Sequence, residues 1–177
     1  MYYFRYFCSR HERSHQQKRY YLLNRDLVNF KRISMFKKII RTHAQRTTIL
    51  VRLMVGAVFL SEGLQKFLFA DKLGAGRFAK IGLPNPEFLG PFVGSFEIAC
   101  GFLMLMGLFT RLGAIPLILI MLVAIATTKA DVLANDGFWE MMHGSRTDWA
   151  MLLGSIFLLI KGGGRWSVDY AMYNRTT

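Results

Sequence analysis

The sequence predicts an all-α, polytopic membrane protein built as a bundle of four transmembrane helices. Three observations carry that prediction. The chain of 177 residues is 53% hydrophobic and 14% aromatic, more apolar than the roughly 45–50% usual for a soluble domain. Its apolar residues gather into four stretches separated by short polar connections. Its formal charge of +12 is carried almost wholly by residues 1–47, where twelve Lys and Arg face only Glu12 and Asp26, leaving +2 for the rest. A basic flank on an apolar body marks the cytoplasmic side of a membrane protein. Nucleic acid is the other partner such a charge can serve, but contact with the inner leaflet explains the same residues with less, and no nucleic-acid partner is expected.

Residues 1–47 read as a basic cytoplasmic extension. Within it, 1–34 show no clear periodicity and are expected to be poorly ordered, or not translated if synthesis begins at Met35. The stretch from Met35 to Arg46 resembles the n-region of a signal peptide, yet the apolar run behind it is too long for an h-region. It reads as a retained anchor. That run, "LVRLMVGAVFLSEGLQKFLFA", is the first span at about 49–70, followed by spans at about 88–109 and 113–130. Each meets or nearly meets the roughly 20 residues that a crossing requires. The fourth stretch, "WAMLLGSIFLLI" at 149–160, must recruit neighbours, giving a span of about 146–161, or tilt, or sit in a thinned bilayer.

Charge in the connections supports four crossings independently of hydropathy. The 110–112 turn carries Arg111, and the C-terminal segment carries Lys161, Arg165 and Arg175 against Asp169. The 131–148 connection carries Asp131, Asp136, Glu140 and Asp148 against Arg146. Basic short segments inside and an acidic long loop outside satisfy the positive-inside rule. Both termini are therefore expected in the cytoplasm, with the chain in the cell (inner) membrane, a membrane domain over 48–170 and a short tail at 171–177.

Charged groups inside hydrocarbon need partners or a function. At 100° per residue, Arg52, Gly56, Phe59, Gly63 and Lys66 share an arc of roughly 80° on the first span, with Glu62 at its border. On the second span, Gly90, Gly94, Glu97 and Gly101 share about 60°. Small residues permit close helix approach, so these two faces are expected to meet, with Gly56, Gly63, Gly90, Gly94 and Gly101 as packing positions. Counting rise, Glu62 lies about 4 Å outward of the midplane, Lys66 about 10 Å outward, Arg52 a similar distance inward, and Glu97 within about 2 Å. Glu97, Glu62, Lys66 and Arg52 thus form the candidate intramembrane polar site. Against a functional role stands plain structure: Arg52 and Lys66 can snorkel, and Glu62 can pair with Lys66 one turn away. Glu97 is short and central, so it has no such escape.

Other motifs carry less. Cys8 and Cys100 form no C-x-x-C pair, and Cys100 reads as a small packing residue. Glu140 and His143 have metal-like chemistry but no second His at useful spacing, so no metal site is assigned. Trp139, Trp149 and Trp166 suit interfacial anchoring, and Gly162–Gly164 a helix stop. No nucleophile–base motif, phosphate-binding loop or haem-type His pair is present, so no catalytic residue is assigned.

"VRLMVGAVFLSEGLQKF", then "FAKIGLPNPEFLGPFVGSFEIACGFLMLMGLFTRLGAIPLILIMLVAI" and "GGGRWSVD" resemble the DoxX family of small bacterial membrane proteins over roughly 48–170. The resemblance includes the Arg–Gly–Phe–Gly–Lys stripe, the Gly-Leu-Pro before the second span, its central Glu and the Gly-Leu-Phe-Thr-Arg turn. It implies four helices, and a small subunit of a membrane-associated redox assembly linked to quinones or thiols, with quinone as the implied cofactor. Protein partners or a homo-oligomer follow from the same resemblance; with no cysteine pair and no cofactor ligands, the chain is not expected to be a complete enzyme alone. The alternative is a non-catalytic scaffold or small-solute carrier in which the charges only hold helices together.

Overall fold

The computed structural model describes residue 40 and residues 42–175, within a single compact unit that begins at Ile39. The extension 1–34, Cys8 and the alternative start at Met35 lie outside the described residues. Among the described residues every regular element is helical. The order is α1 (Thr48–Leu68), α2 (Ala70–Leu73), α3 (Ala75–Lys80), α4 (Pro86–Met106), α5 (Thr110–Asn135), α6 (Phe138–Gly144), α7 (Arg146–Lys161) and α8 (Val168–Arg175).

The bounds follow from local chemistry. Pro86 occupies the first turn of α4, where its missing N–H costs nothing. Gly107 ends the helix at φ 68°. Its N–H donates to Met104 O at 3.1 Å and that of Leu108 to Leu103 O at 3.0 Å, the paired bonds of a Schellman cap. The second span is thus 86–106 instead of 88–109, because Gly107 stops it before Leu108 and Phe109. The third runs past both of its expected ends, from Thr110 to Asn135. Thr127 and Thr128 do not interrupt it, since each hydroxyl donates back to a carbonyl of the preceding turn.

α1, α4, α5 and α7 pack as antiparallel neighbours around a core that includes Val55, Phe59, Met104, Leu117, Met121 and Leu158. Cys100 lies in that core. The outer perimeter is also apolar, with Leu50, Leu68, Phe102, Leu119, Leu153 and Ile160 all exposed. Such a surface is a liability in water and the natural one against lipid tails. α1, α4 and α5 are long and apolar enough to cross a membrane. α7 has 16 residues, about 24 Å of rise, short of the full thickness of a core about 30 Å thick.

The two faces with glycine stripes do meet. A Cβ placed on Gly63 would lie 2.8 Å from Gly94 O, and one on Gly101 would lie 2.7 Å from Leu60 N. Gly56 faces Leu105 and Gly101 O in the same seam. Gly90 packs elsewhere: its missing side chain leaves room for the backbone of Ala75, at the start of α3. That contact folds the connection between α1 and α4 back over the end of the bundle.

Candidate functional site

The glycine seam sets the chemistry around it. With the antiparallel α1 and α4 backbones in contact at Gly63 and Gly94, Lys66 and Glu97 lie about one turn to either side of that contact, and their side chains reach across it to each other. Lys66 Nζ lies 2.6 Å from Glu97 Oε2 and 4.0 Å from Glu62 Oε2. Glu97 is only 3% exposed, whereas the Glu62 side chain is 47% exposed. The central pair is therefore Lys66–Glu97, with Glu62 a peripheral second acid. Arg77, on α3, adds a further positive charge within electrostatic reach of Glu97.

This pair forms part of the wall of a cavity of about 550 Å³, enclosed by α1, α3, α4, α5 and the start of α7. Most of the lining is apolar, including Phe59, Phe78, Phe92 and Met121. Across from the pair stand Thr127, Thr128 and Asp148. Both threonine protons are spent on helix carbonyls, at 2.8 Å to Val123 O and 2.6 Å to Ala124 O, so their oxygens keep only accepting capacity. Asp148 is held 3.2 Å from Lys129 Nζ, which also donates to Gly144 O at 2.8 Å. An apolar cleft of this size with a few convergent polar groups is the usual form of a small-molecule site.

Arg52 does not join this group. It lies at the opposite end of the bundle, 4% exposed, donating to Gly163 O at 2.8 Å and Leu105 O at 3.4 Å. Ten residues of helix separate it from Glu62, about 15 Å of rise; a shared face is not a shared height. Nor does it snorkel, because the 162–167 loop folds over it. Gly107 sits so close that a Cβ there would meet the guanidinium.

Asp169 is the residue that sequence reasoning missed, having been counted only as a charge in the tail. It is 1% exposed. Its carboxylate accepts from Phe109 N at 2.8 Å and Thr110 N at 2.9 Å, capping the first turn of α5 in place of a local side chain. Burial pushes its carboxyl pKa up, against the opposing pull of those donors and of Arg52. A local signal existed: Ser167 precedes it by two residues and accepts from Tyr170 N at 3.1 Å, an N-cap pattern. That pattern announces α8; it carries no information about which carbonyls and amides α8 will meet.

Glu140 and His143 lie on α6, and the His143 ring Nε2 lies 3.1 Å from the Arg146 guanidinium. Trp139 and Trp166 are strongly exposed, at 82% and 63%.

Comparison with known proteins adds three findings. The DoxX family model matches residues 47–130. The chain is 47% identical over 146 residues to "Uncharacterized membrane protein Rv3486" of Mycobacterium tuberculosis, covering 79% of this chain and 90% of that one. It is 30% identical over 122 residues to "Putative oxidoreductase CatD" of Bacillus subtilis, covering 69% of this chain and 84% of that one. No solved structure matches significantly.

Proposed function

The chain belongs to the DoxX family of membrane proteins, and from that premise we propose that it is a small subunit of a quinone-linked redox assembly. The observation that carries this reading is the buried Lys66–Glu97 pair in the wall of an apolar cavity of about 550 Å³. The aromatic and aliphatic walls accept a ring. Lys66 donates to a ring carbonyl, and Glu97 accepts or returns a proton beside it. The likeness to a protein named as an oxidoreductase supports the same direction. No residue here carries electrons by itself, so the oxidant or reductant acting on the ring belongs to a partner protein. The chain sits in the cell (inner) membrane with both termini in the cytoplasm, and α7 serves as a fourth crossing where the bilayer is locally thinned.

A second reading has its own support. The ion pair joins α1 to α4 across their glycine seam, so it can serve as helix glue in a scaffold or small-solute carrier. One experiment separates the two. Protein purified in mild detergent is assayed for copurifying quinone and for bound partner proteins, alongside Glu97→Gln. The redox reading expects bound quinone in the parent, reduced about tenfold or more in a variant that still folds. Absence of quinone, with loss of folded Glu97→Gln protein, establishes the gluing role instead.

A further inference from the structure

The cavity has two unlike rims. Toward α3 and α7 the rim is polar, with Arg77 and Thr147 exposed beside the cavity. Between α4 and α5 it is wholly apolar. Phe92 on α4 and Leu119 and Val123 on α5 line the cavity, yet are 46%, 58% and 53% exposed. A side chain that both lines a cavity and faces outward marks its edge. These three open onto the same lipid-compatible perimeter that carries Phe88, Phe96 and Leu122. The gap follows from how the two helices are joined. α4 and α5 are tied closely at their short turn, where Gly113 approaches Met104 and Cys100. Farther along, both face the cavity instead of each other.

Charge at the site narrows what fits. Lys66, Arg77 and Lys129 stand against Glu62, Glu97 and Asp148, a balanced set that gives an anionic head group no net attraction. A neutral ring bearing hydrogen-bond acceptors suits Lys66 better. We infer that the gap between Phe92 and the Leu119–Val123 edge is a lateral portal, through which a neutral, tail-bearing ring compound enters from the bilayer, its ring reaching Lys66–Glu97 and its tail remaining between α4 and α5. This rests on the cavity being a ligand site, and adds the route and the residues that select for a tail.

The test uses the full chain in lipid nanodiscs, with empty discs as the partition blank. The probes are decylubiquinone and the same ring without a tail, and binding is read by quenching of the native tryptophans. Leu119→Phe/Val123→Phe narrows the portal at exposed positions, and Leu153→Phe adds a phenyl ring elsewhere on the perimeter. The portal variant should lose about tenfold in affinity for decylubiquinone, near 1.4 kcal/mol, and keep its affinity for the tailless ring. Leu153→Phe should change neither. Equal loss for both probes, or no loss for decylubiquinone, overturns the portal while leaving the cavity as a site reached from the polar rim. Failure of both probes to bind the parent protein overturns the quinone reading, and the portal with it.

Discussion

Lys66 and Glu97 form the pair whose energetics are most open to test. A buried ion pair is costly to create and more costly to break, because removing one partner strands the other charge. Lys66→Met should therefore lower unfolding stability in detergent by about 3–5 kcal/mol, while Lys66→Met/Glu97→Leu should recover most of that loss. Thermal unfolding of the three proteins decides it; a double variant as unstable as the single would mean that the pair stabilises the fold outright. Asp169 makes a different prediction. Its native carboxyl pKa lies above the ordinary aspartate value, so the folded state holds the proton more tightly than the unfolded chain. Stability from this group is then fully present below the unfolded pKa and declines as pH rises through the native one. Asp169→Asn should flatten that decline in pH-dependent melting, while costing about 1 kcal/mol overall through the weakened cap on Phe109 and Thr110. An unchanged pH profile would remove Asp169 as its source.

Helix–helix approach governs the element scale. α1 and α4 touch through backbone at Gly63–Gly94 and Gly56–Gly101, so added side chains have no rotamer that avoids the opposing helix. Gly101→Val should destabilise by about 1–3 kcal/mol or more through overpacking. Ala99→Leu, at an exposed position on the same helix, should change stability by less than about 0.5 kcal/mol. Equal melting temperatures for the two would show that the seam is looser than its contacts imply. The glycine phase on each span was legible because a 3.6-residue period fixes angle from sequence alone. Helix ends were less legible: hydropathy runs on through Leu108 and Phe109, whereas the backbone turns at Gly107. The partner of Gly90 was not legible at all, since Ala75 reaches it only after the connecting segment folds back.

For the whole molecule, the unequal lengths of the long helices are the open mechanical feature. α5, with 26 residues, rises about 39 Å, while α7 rises far less. A bilayer accommodates both by tilt of the longer and local thinning at the shorter. Because α7 runs antiparallel to α5, a fourth crossing returns the chain to the side on which it began. A reporter fused after Thr177 should accordingly be active only in its cytoplasmic form; a periplasmic signal would leave three crossings and place α7 on the membrane surface.

By itself, the sequence determined the membrane as solvent, the helical class, three long spans and the face of each helix that carries glycine and charge. Those properties depend on composition and on a period internal to one segment. Only the tertiary structure decided which charges come within reach of one another. Lys66 meets Glu97 and Arg52 meets the 162–167 loop because close backbone contact at the glycines fixes how far α1 is displaced along α4. That translation, unlike helical phase, belongs to no single segment. The same packing leaves α4 and α5 apart beyond their turn, and so creates the cavity.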